Sequence, residues 1–248
     1  MVLAAAPATA QSDEDKPGSD TQLGASFVGS NGNAHISTVG VDMSTTDRRP
    51  PWKFEAAFNA VRSATRDALG IDQTLERYLE NARIRRRISK VLSVTAGERL
   101  EHDPVAGMEL RSIVDAGLGW KLADRPDWSL DAITALAWNH EHPVTAVASV
   151  DRDDPVGLFQ LLNKVALGKT GSTTQRFTAY PDFRDTALSR LEGELTAQAA
   201  MNARLALKLG FLIRYVNTPL PGLKSTDTTA TASIVFTWKT PPPPAKTP

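Results

Sequence analysis

RLALKLGFLIRY, residues 204 to 215, alternates two classes of side chain without interruption. Leu205, Leu207, Leu209, Phe211, Ile213 and Tyr215 fall on one side of a period-two element; Arg204, Ala206, Lys208, Gly210, Leu212 and Arg214 fall on the other. A strand in a soluble sandwich runs about 5–6 residues, whereas one that crosses a bilayer at a tilt needs about 9–11. This stretch meets the longer requirement, so its apolar face must be assigned either to a protein core or to lipid.

The bulk composition narrows the classes. The chain has 248 residues, 41% of them hydrophobic, with 28 basic and 28 acidic side chains. Zero net charge, with no basic block beyond Arg85 to Arg87, removes the electrostatic footprint of nucleic-acid binding. Cysteine is absent, which excludes disulfides, thiolate metal sites and cysteine nucleophiles. No run of about 18 apolar residues occurs, so no spanning helix is expected, while a closed barrel is still allowed. At the N-terminus, MVLAAAPATA ends in the small-residue pattern Ala8-Thr9-Ala10 of a secretory cleavage site. Residues 1–10 are therefore expected to be a signal-peptide remnant, a disordered Ala-rich tail being the plain alternative. Residues 11–20 read as a polar, disordered lead-in, 21–239 as the barrel, and 240–248 as a proline-rich periplasmic tail that cannot pair in a sheet.

The opening pattern recurs along the chain. In WKFEAAFNA the outward class is Trp52, Phe54, Ala56, Phe58 and Ala60, set against Lys53, Glu55, Ala57 and Asn59. LRSIVDAGLGWKL sets Leu110, Val114, Ala116, Leu118, Trp120 and Leu122 against Arg111, Asp115, Gly117, Gly119 and Lys121. The last segment sets Ala230, Ala232, Ile234, Phe236 and Trp238 against Asp227, Thr229, Thr231, Ser233 and Thr237. In WSLDAITALAW the outward face begins at Trp128 and ends at Trp138. Ten residues at about 3.3 Å each, tilted by about 40°, span roughly 25 Å, the height of a lipid-facing band between aromatic girdles. The girdle expected from such placement is Trp52, Trp120, Trp128, Trp138, Tyr215 and Trp238.

About twelve such segments can be counted, and bacterial single-chain barrels use even numbers. They begin near Leu23, His35, Trp52, Leu75, Val91, Leu110, Trp128, Gly157, Thr173, Thr186, Arg204 and Asp227. The fourth, LERYLENARIRRRIS, also fits a helix through Leu75, Leu79 and Ala82, and as a strand it puts Glu80 and Arg86 on the face with Tyr78, Ala82 and Ile84. Connections alternate long and short from a periplasmic start, with SNGN and TTDRRPP as exceptions. The expected fold is all-β: a closed antiparallel transmembrane β-barrel of about twelve strands, within a range of ten to fourteen.

Three pieces carry a resemblance: SNGNAHIS near the start; ERLEHDPVAGMELR followed by AGLGW; and LKLGFLIRYVNTPLPGLKSTDTTATASIVFTW at the end. Through them the chain, from about Gln22 to Lys239, resembles the outer-membrane proteins catalogued as domain of unknown function 481, which include salt-induced outer-membrane proteins. The matching positions are Asn31, Gly32 and Asn33; Asp103, Gly107 and Arg111; and Arg214, Asn217, Pro219, Asp227 and Thr228. The resemblance implies the outer membrane of a Gram-negative bacterium, contact with outer-membrane lipid and lipopolysaccharide, and handling by the barrel-assembly machinery. It implies no reaction. Ten residues follow Trp238, whereas such barrels usually end on an aromatic assembly signal, so Phe236 or Trp238 would act from inside the chain.

Candidate chemistry is sparse. Glu98, Glu101, His102 and Asp103 suggest a metal or acid–base cluster, but the resemblance places Asp103 beside the turn before Arg111, where a structural ion pair across the hairpin is the simpler reading. His140, Glu141 and His142 sit at period-two spacing, short of the three or four converging ligands zinc wants. No G-x-S-x-G, P-loop or G-x-G-x-x-G occurs. No catalytic residue, metal or cofactor is therefore assigned. By parity the lumen receives Lys53, Glu55, Arg83, Arg85, Arg99, Glu101, Arg111, Asp115, Lys121, Asp131, Arg190, Glu192, Glu194, Lys208, Arg214 and Asp227. The expected charge network is Asp103, Arg111, Asp115, Asp131, Arg190, Glu192, Lys208, Arg214 and Asp227. Mixed signs at similar depth tend to pair across a lumen and fill it. The expectation is a monomeric barrel, narrow or largely occluded, acting as a small pore or envelope structural protein. A rim hydrolase of lipids or esters, or an envelope assembly partner, is the alternative.

Overall fold

The computed structural model describes residues 17–30, 35–66, 72–144, 151–219 and 224–240. They form twelve strands: β1 (Gly18–Ser30), β2 (His35–Arg49), β3 (Trp52–Arg66), β4 (Asp72–Arg87), β5 (Leu92–Asp103), β6 (Met108–Arg125), β7 (Trp128–Pro143), β8 (Arg152–Leu167), β9 (Gly171–Tyr180), β10 (Arg190–Ala200), β11 (Leu205–Val216) and β12 (Thr226–Thr240). Each pairs antiparallel with its neighbours in sequence, and β1 pairs with β12 from Ser19↔Thr240 to Ala25↔Ile234, which closes the barrel. Closure leaves no sheet edge, the condition for a sheet to stand in lipid.

Polarity is inverted relative to a soluble protein. Leu23, Phe27, Val39, Val41, Met43, Phe54, Phe58, Leu118, Leu136 and Ile234 are exposed on the outside. Inside, Glu101, Asp103, Arg111, Asp115, Asp131, Glu141 and Arg190 are buried. Alternation at period two produces both faces at once, because successive Cβ atoms leave the sheet on opposite sides. The opening stretch becomes β11, with Leu207, Leu209, Phe211, Ile213 and Tyr215 exposed outside.

Three boundaries differ from the sequence reading. Strand β1 begins at Gly18, so the last residues of the expected lead-in are strand; most of that lead-in and the tail beyond Thr240 lie outside the described residues. Strand β8 begins at Arg152 rather than near Gly157. The added stretch accommodates Pro155: its carbonyl accepts from Phe183 N, and Gly157 N donates to Pro181 O on the same side. Its missing N–H therefore points past the end of β9 at Tyr180, where no ladder bond is lost. Thr186–Leu188 forms a 3₁₀ turn, and β10 starts at Arg190. The fourth segment is a strand throughout, with Tyr78, Glu80 and Arg86 exposed. Arg86 lies 5.6 Å over the Trp52 ring, which shelters its charge at the barrel rim.

The two ends of the barrel differ. One carries both ends of the closed sheet and short turns at 50–51, 88–91, 126–127, 168–170 and 201–204; the other carries the longer connections at 144–151, 181–189 and 217–225. At the loop end the β5–β6 connection is tight. Asp103 caps a 3₁₀ turn by accepting from Ala106 N at 3.2 Å, and Gly107 leaves it at φ 78°, a conformation that side chains with a Cβ disfavour.

The facing of β11 generates a test. Leu209→Arg, on the lipid face, is expected to cost about 2–4 kcal/mol if it lies near the bilayer midplane. Lys208→Leu, on the inner face, is expected to be milder. Refolding yield into lipid vesicles measures both, and equal defects would contradict the facing.

Candidate functional site

Strand β5 directs Ser93, Thr95, Gly97, Arg99 and Glu101 into the lumen and meets there the inward side chains of β10 and β11. Arg99 donates to both carboxylate oxygens of Glu192 on β10, at 2.8 and 2.9 Å. Arg214 on β11 reaches Glu101 at 2.8 Å and Asp103 at 3.0 Å. In a ring of twelve, β5 and β11 are diametrically opposite, so these bonds bar the interior rather than decorate one wall. Arg111 adds Glu141 at 2.8 Å and Glu101 at 3.3 Å. Arg190 lies 3.8 Å from Glu141 and 4.9 Å over the Tyr180 ring. Arg77 approaches Asp103 at 3.5 Å, and Arg152 joins through Asp154 at 3.0 Å and Glu141 at 3.7 Å. Charges withdrawn this far from water persist only when each has opposite charges and donors around it. The belt meets that condition by sharing every carboxylate among several guanidinium groups.

Toward the turn end, Arg83 grips Asp115 with two bonds at 2.9 and 2.7 Å and donates to Thr95 at 3.1 Å. Gly97 lies beneath this pair: a Cβ there would stand 2.5 Å from Arg83 Nη2 and 2.8 Å from Asp115 Oδ2. Beside it, Ile113, Ile133, Ala137, Val156, Leu158 and Tyr180 pack into an apolar cluster from β6 to β9. The opposite wall is lined by small or hydroxylated residues such as Gly24, Ser26, Ser44, Ala57, Gly210 and Thr231. Ala57 and Thr231 face inward and are nonetheless exposed, as is Arg176, whose ion-pair partner Glu194, at 2.8 Å, is half-buried. The accessible space is therefore off-centre, along β9 to β12 and β1 to β3. Lys208 reaches Asp42 at 3.2 Å across that space.

The residues named from the sequence are distributed as follows. Asp103, Arg111, Arg190, Glu192 and Arg214 meet in the belt. Asp115 and Lys208 form the separate pairs just described, and Asp131 lies buried nearer the turn end. Asp227 stands opposite Arg214 in register but is exposed, while that guanidinium turns to Glu101, Asp103 and, at 4.0 Å, Glu192. The direct Asp103–Arg111 pair expected across the hairpin does not form. The regular register of the hairpin sets Glu101 opposite Arg111, and beyond a bulge Asp103 stands opposite Met108. Glu98 and His102 face outward while Glu101 and Asp103 face inward, so those four do not converge. His140 and His142 likewise sit outside, against Asp153 at 3.0 Å and Asp151 at 2.5 Å, with Glu141 inside. Glu141 was missed as a belt residue; carrying the Trp128–Trp138 alternation three residues further would have placed it inward.

The outward aromatics lie toward both ends. Trp52, Trp120, Trp128 and Trp238 lie toward the turn end, where Trp128 Nε1 donates to Asn163 at 2.7 Å and Trp238 packs 4.3 Å from Phe236. Trp138 and Tyr215 lie toward the loop end, donating to Asp153 at 3.2 Å and to Asn217 at 3.1 Å. An aromatic with a wet polar tip suits the level where hydrocarbon meets headgroups.

A closed twelve-stranded sheet with an apolar exterior and an ionic interior is a transmembrane β-barrel. The chain belongs to the family described as protein of unknown function, DUF481, whose model matches residues 23–238. None of the curated proteins matches it. Among solved structures it is similar to the NanC porin, with 11% identity, 90% of this chain and 98% of that chain covered, and a TM-score of 0.46. It is also similar to the translocator domain of the autotransporter NalP from Neisseria meningitidis, at 12% identity, 89% and 87% coverage and a TM-score of 0.45. The P. putida toluene transporter TodX gives 11%, 95% and 93%, and 0.42.

Belt and wall charges should differ in worth. Arg214→Ala leaves Glu101 and Asp103 short of a cation in a buried setting and is expected to cost about 3–5 kcal/mol. Arg176→Ala removes a pair whose side chains are 43% and 38% exposed, and about 1 kcal/mol or less is expected. Urea unfolding from lipid vesicles compares the two.

Proposed function

We propose that this barrel forms a narrow hydrophilic passage through the outer membrane of a Gram-negative bacterium, with its turn end in the periplasm. The barrel-assembly machinery would insert it as a monomer in contact with outer-membrane lipid and lipopolysaccharide. The observation that carries the reading is the asymmetry of the interior: an ionic belt crosses it and an apolar cluster fills one side, while inward-facing residues on the other wall are accessible to water. The belt narrows this path, and its mixed charges favour neither sign of ion strongly. Small polar solutes would therefore pass slowly. A barrel of twelve strands suits this role, being wider than one its side chains fill and narrower than porins with about 16–18 strands.

The test is single-channel conductance of refolded protein in a planar bilayer, beside an Arg99→Ala/Glu192→Ala double variant. Small, weakly selective steps are expected from the native chain and severalfold larger ones from the variant, since a two-bond bar across the lumen is gone. Silence from both, in protein that is demonstrably folded, would turn the reading toward a structural role in the envelope.

A further inference from the structure

We infer that the turn end of the barrel interior holds a binding site for a small oxyanion of the phosphate class. Between the β2–β3 and β4–β5 turns the interior opens into a cavity of about 210 Å³. Five cationic side chains line it, Lys53, Arg85, Arg87, Lys90 and Lys121, against two carboxylates, Asp124 and Asp131. The chain as a whole is neutral, so this excess is local.

Register forces the cations together. Arg48 stands opposite Lys53, and Lys53 opposite Arg85, all on the inner face of adjacent strands. Like charges directly opposite one another destabilise a sheet unless something compensates them. Arg48 has Asp20, Lys53 has Glu55 at 3.0 Å, and Lys121 has Asp124 at 3.4 Å. Arg85 shares the charge of Glu55 with Lys53, and its Nε is buried without a hydrogen-bond partner. Gly119 keeps the space beside it open: a Cβ there would stand 2.7 Å from Ser93 Oγ and 3.9 Å from that Nε. On the far side, Ser89 Oγ accepts from Val91 N at 3.3 Å and Leu92 N at 3.1 Å, fixing the turn that carries the exposed Lys90.

Size and charge define the occupant. Sites that bury a drug-sized ligand measure about 300–1,000 Å³, so this cavity suits a small ion or a headgroup. A phosphate offers several strong acceptor oxygens and up to two negative charges, which matches a guanidinium fork beside separate ammonium groups. Free phosphate and a phosphorylated lipid headgroup share that chemistry. The site does not depend on whether the barrel conducts.

Titration calorimetry on the refolded full chain tests the assignment, with inorganic phosphate, pyrophosphate and detergent-dispersed phosphatidylglycerol as separate probes and sodium chloride at matched ionic strength as control. Saturable binding of at least one probe is expected, weakened about tenfold or more by Arg85→Met, and also by Lys90→Gln, an exposed turn residue whose loss leaves the fold intact. Binding of only the soluble anions would identify a free oxyanion, and binding of only the lipid a headgroup. Absence of binding by all three, equal heats with chloride, or affinity unchanged in both variants would overturn the inference.

Discussion

Closure of β1 on β12 is the constraint on which everything else rests. Hydrocarbon offers no partner for a backbone N–H or C=O, and each unsatisfied group there costs several kcal/mol, so a sheet can cross a bilayer only as a ring. Once the ring is closed, the two faces of every strand meet two different solvents. The outer face must be apolar over the membrane's height, and the inner face is free to be ionic. Strands of 10 to 18 residues and the two groups of outward aromatics follow from the same requirement.

The interior meets its own difficulty with charge rather than with size. Filling a ring of this width with apolar side chains alone would leave gaps, and lone charges inside would be penalised by lost hydration. The belt of Arg99, Glu101, Asp103, Arg111, Glu141, Arg190, Glu192 and Arg214 resolves this by spreading each carboxylate over several guanidinium groups. Arginine suits the task because its planar fork can bind one carboxylate twice, as Arg99 does with Glu192, or reach two at once, as Arg214 does. The bars also tie opposite walls together, so lumen shape and stability depend on the same bonds. A protein built this way keeps a defined interior while leaving one wall to water.

Much of the architecture was legible in the chain. Outward and inward classes in β3, β6, β7, β11 and β12 could be assigned by parity, because side-chain direction in a strand is a local property with a period of two. The bilayer ruler from Trp128 to Trp138 needed only rise and tilt. Errors fell at strand starts: β8 runs back through Pro155, whose missing N–H faces an ended strand, and the segment expected from near Thr186 opens with a 3₁₀ turn, so that β10 starts only at Arg190. Arg111 meets Glu101 rather than Asp103 because the register that runs unbroken from Leu92↔Trp120 sets Glu101 opposite it, and that register belongs to the whole hairpin rather than to its turn.

The sequence by itself therefore determined that this is a membrane-spanning β-barrel, roughly how many strands it has, and which charges enter its lumen. Those properties reside in short-range alternation and in the lengths of segments and turns. Only the tertiary structure decided which charges meet. Arg99 and Glu192, or Arg214 and Glu101, become neighbours only after the ring closes with a given strand number and register, and no local pattern encodes a distance across the lumen. The same holds for the uneven filling of the interior and for the basic cavity at its turn end, where three cations share one register line.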